Sequence, residues 1–250
     1  ILPAILDETG AKMVQSAPEA RGAAFFLSDS VLRFEGNTAH LKSGKAVAFD
    51  LLVIAVGVRP NTELMKEAGG EVRRGIAVDE CGRTSLPDIF AAGDCAESLD
   101  IASGTSKVLA LLPNAAFQGR AAGVNMAGGK AKLDNAVAFN SIGFFGTHVM
   151  TAGVYEGEMY CERTERTYKA LFTKDGLLKG FILINLPERA GIYLKLLKER
   201  IPLEAVDFEA LKTSPAWSAF SPEAREANFA REVEDEDLCK RDGLCGAQCG

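Results

Sequence analysis

The sequence has 250 residues, of which 47% are hydrophobic, and a formal net charge of -6. This hydrophobic content is enough for one or two cores and is not the composition of a disordered chain. Because no basic stripe is present, the charge gives no electrostatic reason to expect nucleic acid or an anionic membrane as a partner.

The longest apolar run, residues 51–58, is far shorter than the roughly 20 residues of a membrane-spanning helix. We therefore expect no membrane span, and the sequence carries no secretory signal. Six scattered cysteines do not form a disulfide scaffold, so we expect a cytoplasmic protein. The chain begins ILPAILDETG, without an initiator Met, and contains no GxGxxG fingerprint for a dinucleotide pyrophosphate. Both features suggest a fragment of a longer protein.

The first part of the chain reads as a helix followed by a meander. Residues 5–21 have apolar side chains at helical spacing. Residues 23–28, 31–34 and 39–41 are short strand-like runs separated by turn residues. Residues 50–58 then form a continuous aliphatic run, which predicts a strand buried on both faces of a parallel sheet.

The segment from residue 82 to residue 97 reads GRTSLPDIFAAGDCAE. It predicts a short strand at residues 88–92 that stops at Gly93 and Asp94. Ligands of open α/β sheets bind at the carboxyl ends of strands, and an ionised carboxylate accepts hydrogen bonds only. Because Gly93 has no Cβ, a ligand can approach its backbone closely. We therefore expect a cofactor rich in hydroxyl groups at this place.

A helix is predicted from about Pro113 to Met126, because proline stands near its first turn and Gly128-Gly129 follows its end. Its N-terminus carries partial positive charge and unpaired N–H groups. The alternative is a helix that only packs against the sheet. A further short helix is expected at residues 62–68.

From residue 136 onward the pattern changes to antiparallel strands. Residues 167–173 and 177–184 flank Lys174-Asp175-Gly176, a strong hairpin signal. A strand is also expected at residues 149–158. Helices are expected at residues 190–200 and 208–213.

Several side chains near the end of the chain could have chemical roles. His148 lies in an apolar, strand-rich stretch, where a structural role is more common than a catalytic one. Cys239, Cys245 and Cys249 could bind an iron-sulfur cluster or zinc, but their spacing lacks a CxxC pair and a fourth ligand. Surface thiols are the alternative, and we expect no metal site.

Three ordered motifs resemble the pyridine nucleotide-disulfide oxidoreductase superfamily of flavin- and nicotinamide-dependent enzymes. They are DLLVIAVGVRPN from residue 50, TSLPDIFAAGDCAE from residue 84 and LLPNAAFQGRAAGVNMAGG from residue 111. The branch most similar to this sequence is the NADH:rubredoxin reductase and nitrite reductase large-subunit type. The resemblance extends to about residue 233 but covers only the latter part of such an enzyme.

The resemblance implies an α/β fold: an incomplete pair of Rossmann-like dinucleotide-binding domains followed by an α+β dimerisation domain. Its expected parts share the order found in the family. They are the end of the NAD(P)-binding domain (1–62), the second segment of the FAD-binding domain (63–135), the dimerisation domain (136–231) and an acidic, Cys-containing tail (232–250). A homodimer is expected.

The resemblance also implies FAD and NAD(P)H as cofactors and assigns cofactor-binding roles. Gly93 and Asp94 would hold the ribitol-pyrophosphate side of FAD. Asn114 and Ala115 would lie beside the isoalloxazine, and Gly57 would allow close approach of a cofactor. No catalytic acid or base is assigned, because the cofactor performs the chemistry.

Two functions follow from these assignments and remain open. In the first, the chain is part of an NAD(P)H-dependent flavoprotein reductase that passes electrons to an acceptor such as rubredoxin or a nitrite-reducing centre. In the second, the chain is a truncated, non-catalytic dimerisation or interaction module, because no pyrophosphate fingerprint is present. A separate chain that carries the missing half would be a third arrangement.

Overall fold

The computed structural model describes residues 1–134 and 136–207, within which the chain has a mixed α/β fold. The helices are α1 (Glu8–Glu19), α2 (Glu63–Glu67), α3 (Leu112–Met126) and α4 (Ala190–Lys198). The strands are β1 (Val31–Glu35), β2 (Thr38–Leu41), β3 (Ala46–Ala48), β4 (Ile76–Ala77), β5 (Ala96–Asp100), β6 (Thr105–Lys107), β7 (Phe139–Phe144), β8 (Thr147–Gly153), β9 (Glu158–Arg163), β10 (Tyr168–Lys174) and β11 (Leu177–Ile184). In the described residues they form sheets of order β1-β2-β3, β4-β5-β6 and β7-β8-β11-β10-β9.

Helix α1 confirms the helix expected over residues 5–21, with shorter bounds. Asp7 is its N-cap, and the carboxylate accepts a hydrogen bond from the Gly10 N–H at 2.8 Å. Pro18 lies inside α1, where it lacks the N–H that would bond to the Val14 carbonyl, and α1 ends one residue later.

Strands β1 and β2 confirm the strands expected at residues 31–34 and 39–41, and β3, which was not expected, completes the antiparallel meander. The strand expected at residues 23–28 does not form; this segment is a loop and turn. Helix α2 confirms the short helix expected at residues 62–68, with Thr62 as its N-cap.

The strand expected at residues 50–58 is wrong. All of these residues are exposed, with exposed fractions of 81% for Leu51 and 90% for Val56. A strand exists only where a neighbour pairs with its N–H and C=O groups. Among the described residues, no backbone hydrogen bond involves residues 50–61. The aliphatic run therefore remains extended and unpaired.

The five-stranded antiparallel sheet confirms the antiparallel strands expected after residue 136. Strands β10 and β11 form the predicted hairpin, and Asp175 and Gly176 adopt φ of 54° and 71° in its turn. Positive φ at both turn residues matches the twist of the flanking strands. The strand expected at residues 149–158 is confirmed only as far as Gly153, where β8 ends; β9 then begins at Glu158. Helix α4 confirms the helix expected at residues 190–200.

Each face of this sheet is covered by a different part of the chain. Helix α4 packs on one face, in a core that also includes Ile101 and Ala102. Leu6 and Val14, from the N-terminal segment and α1, pack on the other face. Segments from the beginning and the middle of the chain thus share cores with the C-terminal sheet.

Two tyrosines bind the segment around α1: Tyr168 of β10 and Tyr155 of the loop between β8 and β9. The Tyr155 hydroxyl donates a hydrogen bond to the Ile5 carbonyl at 2.6 Å, and the Tyr168 hydroxyl donates to the Asp7 carboxylate. Burial raises the pKa of Tyr155 to about 12, and the charge of Asp7 adds to the shift. Burial also raises the pKa of Tyr168, with a further contribution from its bond to Asp7.

Among the residues that the structure describes, none of the helices has the length and apolar character needed to cross a membrane. The expected helix at residues 208–213 and the cysteines at 239, 245 and 249 lie outside the described residues.

Candidate functional site

Gly93 and Asp94 lie in a 3-10 turn, Gly93–Cys95, that leads directly into β5. The strand expected at residues 88–92 is wrong: Phe90 forms only an isolated bridge with Arg83. The segment is too short to pair further, because Pro87 and Asp88 turn the chain just before it. Asp94 is therefore placed before the amino end of β5 and not after the carboxyl end of a strand.

The backbone of Gly93 is held against helix α3. Its φ is +81°, a conformation that strongly favours glycine. Its N–H donates a hydrogen bond to Gln118 Oε1 at 2.7 Å. A Cβ placed on Gly93 would lie 3.8 Å from the Cβ of Ala115. The structure thus brings the Gly93–Asp94 turn next to the first turns of α3.

The Asp94 side chain is exposed, and its carboxylate has no hydrogen bond or ion pair with any described residue. An exposed carboxylate with no partner in the described chain is available as an acceptor for a ligand donor.

Helix α3 begins at Leu112, with Pro113 in its first turn, and Gly128 follows its end with φ of +85°. These bounds confirm the helix expected from about residue 113 to residue 126. The buried face of α3 carries amides as well as small side chains: Asn114, Gln118, Ala121, Ala122 and Asn125. Most of these amides bind backbone groups of neighbouring loops.

Asn114 uses its side chain within the protein. The amide Nδ2 donates to the Val137 carbonyl at 3.0 Å, and the residue is only 3% exposed. The Ala115 N–H already bonds to the Leu111 carbonyl at 2.9 Å. The Asn114 N–H has no backbone acceptor among the described residues. A ligand at this helix end would therefore meet backbone N–H groups and not the Asn114 amide.

Gly57 is not brought into this arrangement. It has φ of +89° and lies in the exposed segment of residues 50–59, and apart from its two neighbours in sequence no described residue has an atom within 4 Å of a Cβ placed on it. Gly93, Asp94, Asn114 and Ala115 lie together, whereas Gly57 stands apart.

Other candidate groups have structural partners. His148 Nε2 lies 2.9 Å from Ser141 Oγ, and its backbone N–H donates to Asn185 Oδ1 at 2.8 Å. Cys81, Cys95 and Cys161 are free thiols. The described residues contain no group of three or more metal-ligating side chains.

Residues 1–119 match the family model described as pyridine nucleotide-disulphide oxidoreductase. The chain belongs to this family. It is 33% identical over 210 residues to the NADH-dependent phenylglyoxylate dehydrogenase subunit epsilon of Aromatoleum evansii, covering 79% of this chain and 50% of that protein. It is 32% identical over 123 residues to the rubredoxin-NAD(+) reductase of Pseudomonas putida, covering 47% of this chain and 32% of that protein.

The fold of this chain matches that of a solved structure. An FAD-dependent pyridine nucleotide-disulphide oxidoreductase from Desulfovibrio vulgaris superposes with a TM-score of 0.75 at 24% identity, covering 95% of this chain and 62% of that chain. The chain spans half or less of the length of the two curated relatives. The family uses FAD and NAD(P)H, as the motifs implied.

The residues that lie together fit the hydroxyl-rich part of FAD. Asp94 offers an unpaired carboxylate, which suits a hydroxyl donor. Gly93 presents backbone without a Cβ, and the start of α3 presents N–H groups and partial positive charge.

Gln118 was not identified from the sequence, although it holds the turn that carries Asp94. The signal that could have found it is the spacing of Asn114, Gln118 and Asn125, which places three amides on one face of an alanine-rich helix. Amides at such positions are buried only when they have partners.

Proposed function

We propose that this chain is part of an NAD(P)H-dependent FAD oxidoreductase that passes electrons from the nicotinamide, through the flavin, to an acceptor. The observation that carries the proposal is the contact between the Gly93–Cys95 turn and α3, which leaves the Asp94 carboxylate exposed and unpaired. Bound FAD would supply the hydride and electron-transfer chemistry.

The residues of the chain bind and orient the cofactor in this proposal. Asp94 accepts a hydrogen bond from a ribityl hydroxyl, and the backbone of Gly93 lies against the ribitol-pyrophosphate side. Asn114 and Ala115, at the start of α3, direct partial positive charge toward the isoalloxazine. Gly57 completes the cofactor contacts only where the segment of residues 50–61 is packed against a sheet.

The electron acceptor is proposed to be a small redox protein or a partner reductase centre. One relative is named as a rubredoxin-NAD(+) reductase, and another as an assimilatory nitrate reductase electron transfer subunit. The first name describes electron transfer between rubredoxin and NAD(+), and the second describes electron transfer for a nitrate reductase.

We assign residues 1–62 to the NAD(P)-binding part, 63–135 to the FAD-binding part and 136–231 to a domain that forms a homodimer. The five-stranded sheet with α4 packed on it supports the third assignment, and Ile101 and Ala102 of the second part share the core beneath α4. The packing of α1 on that sheet means that the first and third parts are not separate in this chain.

A visible absorption spectrum of the purified chain, recorded after incubation with FAD and removal of free cofactor, tests the proposal. Stoichiometric flavin absorbance is the expected result and excludes the interaction-module function. A colourless protein would contradict FAD binding by this chain.

The alternative function, a non-catalytic interaction module, is favoured by the exposed apolar segment of residues 51–58. An aliphatic run with unpaired backbone groups can pair with another sheet edge. A colourless dimer in the same experiment would support this function. Recovery of a GxGxxG-bearing protein in a pull-down would support completion of the fold by a companion chain.

A further inference from the structure

One buried side chain connects α3 to the turn that carries Asp94 and to the strand that follows. Gln118 Oε1 accepts a hydrogen bond from the Gly93 N–H at 2.7 Å, and its Nε2 donates to Ser98 Oγ at 3.0 Å. Gln118 is 1% exposed and Ser98 is 2% exposed, so water does not compete for either bond. The amide is thus engaged on both of its polar atoms.

The amide determines how the turn lies on the helix. Ala115 and Gln118 are three residues apart and therefore share one face of α3. Gly93 lies beside this face: its N–H bonds to Gln118, and a Cβ placed on it would lie 3.8 Å from the Cβ of Ala115. The N–H that Gln118 holds belongs to the residue immediately before Asp94. Fixing this N–H therefore fixes the position from which the Asp94 side chain leaves the turn.

We propose that Gln118 is a positioning residue for the flavin site: it sets the separation between the Asp94 carboxylate and the first turn of α3. This inference rests on the function proposed above. Gln118 acts through Gly93 and Asp94 and makes no contact with FAD. The two FAD-binding elements are then pre-organised before the cofactor arrives, which lowers the ordering cost of binding.

A second buried amide of α3 provides a matched control. Asn125 Nδ2 donates to the carbonyls of Cys81 and Ala131, each at 2.8 Å, and Asn125 Oδ1 accepts from the Ala131 N–H at 2.8 Å. These bonds hold the far end of the same helix. Asn125 therefore matches Gln118 in chemistry and burial but does not touch the turn at Gly93.

The test measures the dissociation constant for FAD, by flavin fluorescence, and the thermal midpoint of the FAD-free 250-residue chain. Gln118→Met removes both hydrogen bonds at similar side-chain length, and we expect FAD binding to weaken about 10-fold or more. Gln118→Glu keeps an acceptor for the Gly93 N–H and is expected to stay within about 3-fold of the unsubstituted chain. Asn125→Leu is expected to lower the thermal midpoint at least as much as Gln118→Met, with little change in the dissociation constant.

A double-mutant comparison tests whether Gln118 acts through Asp94. If it does, Gln118→Met adds little further loss of FAD affinity in an Asp94→Ala background. Independent of FAD, the Gly93 amide should exchange its hydrogen faster in Gln118→Met. If Gln118→Met does not fold, Gln118→Asn, which is too short to reach Gly93, takes its place.

The outcomes separate this inference from the proposed function. An unsubstituted chain that binds no FAD overturns both. An unsubstituted chain that binds FAD, with equal affinity in Gln118→Met or with additive losses in the double mutant, overturns only the positioning role of Gln118.

Discussion

At the scale of single residues, the candidate site depends on which polar groups are already bonded within the protein. The Gly93 N–H, the Asn114 amide and the Gln118 amide all have partners, whereas the Asp94 carboxylate has none among the described residues. A ligand would therefore meet Asp94 first. Because the Asn114 side chain is already bonded to Val137, the start of α3 would contact a ligand through its backbone N–H groups.

Replacement of Asp94 by alanine is expected to weaken FAD retention about 10-fold, because it removes a charged acceptor for a cofactor hydroxyl. The measurement is the FAD remaining per protein after dialysis of the loaded chain. Asp94→Asn, which keeps one acceptor oxygen, should lose less. Glu67→Ala, at an exposed acid on α2, serves as the control. Equal retention in Asp94→Ala and the control would refute the role of Asp94.

At the scale of elements, the docking of α1 on the five-stranded sheet is the contact that ties the beginning of the chain to its C-terminal part. Leu6 and Val14 supply apolar contact, and Asp7 connects the helix N-terminus to Tyr168. One carboxylate thus caps the helix and binds the sheet.

Asp7→Ala is expected to lower the free energy of unfolding by about 2 kcal/mol or more. The cap contributes about 1 kcal/mol, and a buried hydroxyl left without its acceptor costs about as much again. Urea unfolding followed by circular dichroism provides the measurement. In a Tyr168→Phe background, Asp7→Ala should lower the free energy of unfolding only by the contribution of the cap, since no hydroxyl remains that could lose its acceptor. A loss of the same size in both backgrounds would show that Asp7 and Tyr168 are not coupled.

Alkaline pH is expected to weaken the same contact through Tyr155. Burial raises the pKa of Tyr155 to about 12 in the folded chain, above the value of about 10 for an unperturbed tyrosine. The folded state therefore favours the neutral phenol, and the associated stability is present below pH about 10 and lost as pH rises toward about 12. Between pH about 10 and about 12, the urea concentration at the midpoint of unfolding should fall less steeply with pH for Tyr155→Phe. Parallel curves for the two proteins would contradict this assignment.

At the scale of the whole molecule, the segment of residues 51–58 is the part of the chain whose packing is unsatisfied within the described residues. Its aliphatic side chains are exposed and its backbone is unpaired. Such a segment, rich in β-branched residues and without charge, favours pairing with other chains.

Val53→Lys combined with Val56→Lys is expected to reduce concentration-dependent light scattering of the chain several-fold, because charge opposes edge-to-edge pairing. The thermal midpoint should stay unchanged, since these side chains are 76% and 90% exposed. Leu64→Lys, at an isolated side chain that is 85% exposed, is the control and should leave scattering unchanged. A fall in thermal midpoint would indicate that the segment is packed.

The sequence by itself determined the elements that depend on local chemistry. The hairpin at residues 174–176 follows from two residues that tolerate positive φ, and α3 follows from Pro113 and Gly128 at its two ends. The ordered motifs around Gly93 and Asp94 were likewise sufficient to identify the family.

Only the tertiary structure decided the features that require a distant partner. Residues 51–58 have the composition of a buried strand, yet no described neighbour pairs with them, and residues 88–92 form only a bridge. The role of Gln118 depends on Gly93, 25 positions away in the chain, and the docking of α1 depends on Tyr168. Local preferences act within a few residues. Strand pairing, the hydrogen-bond partners of buried amides and core packing depend on segments that meet only in the folded chain.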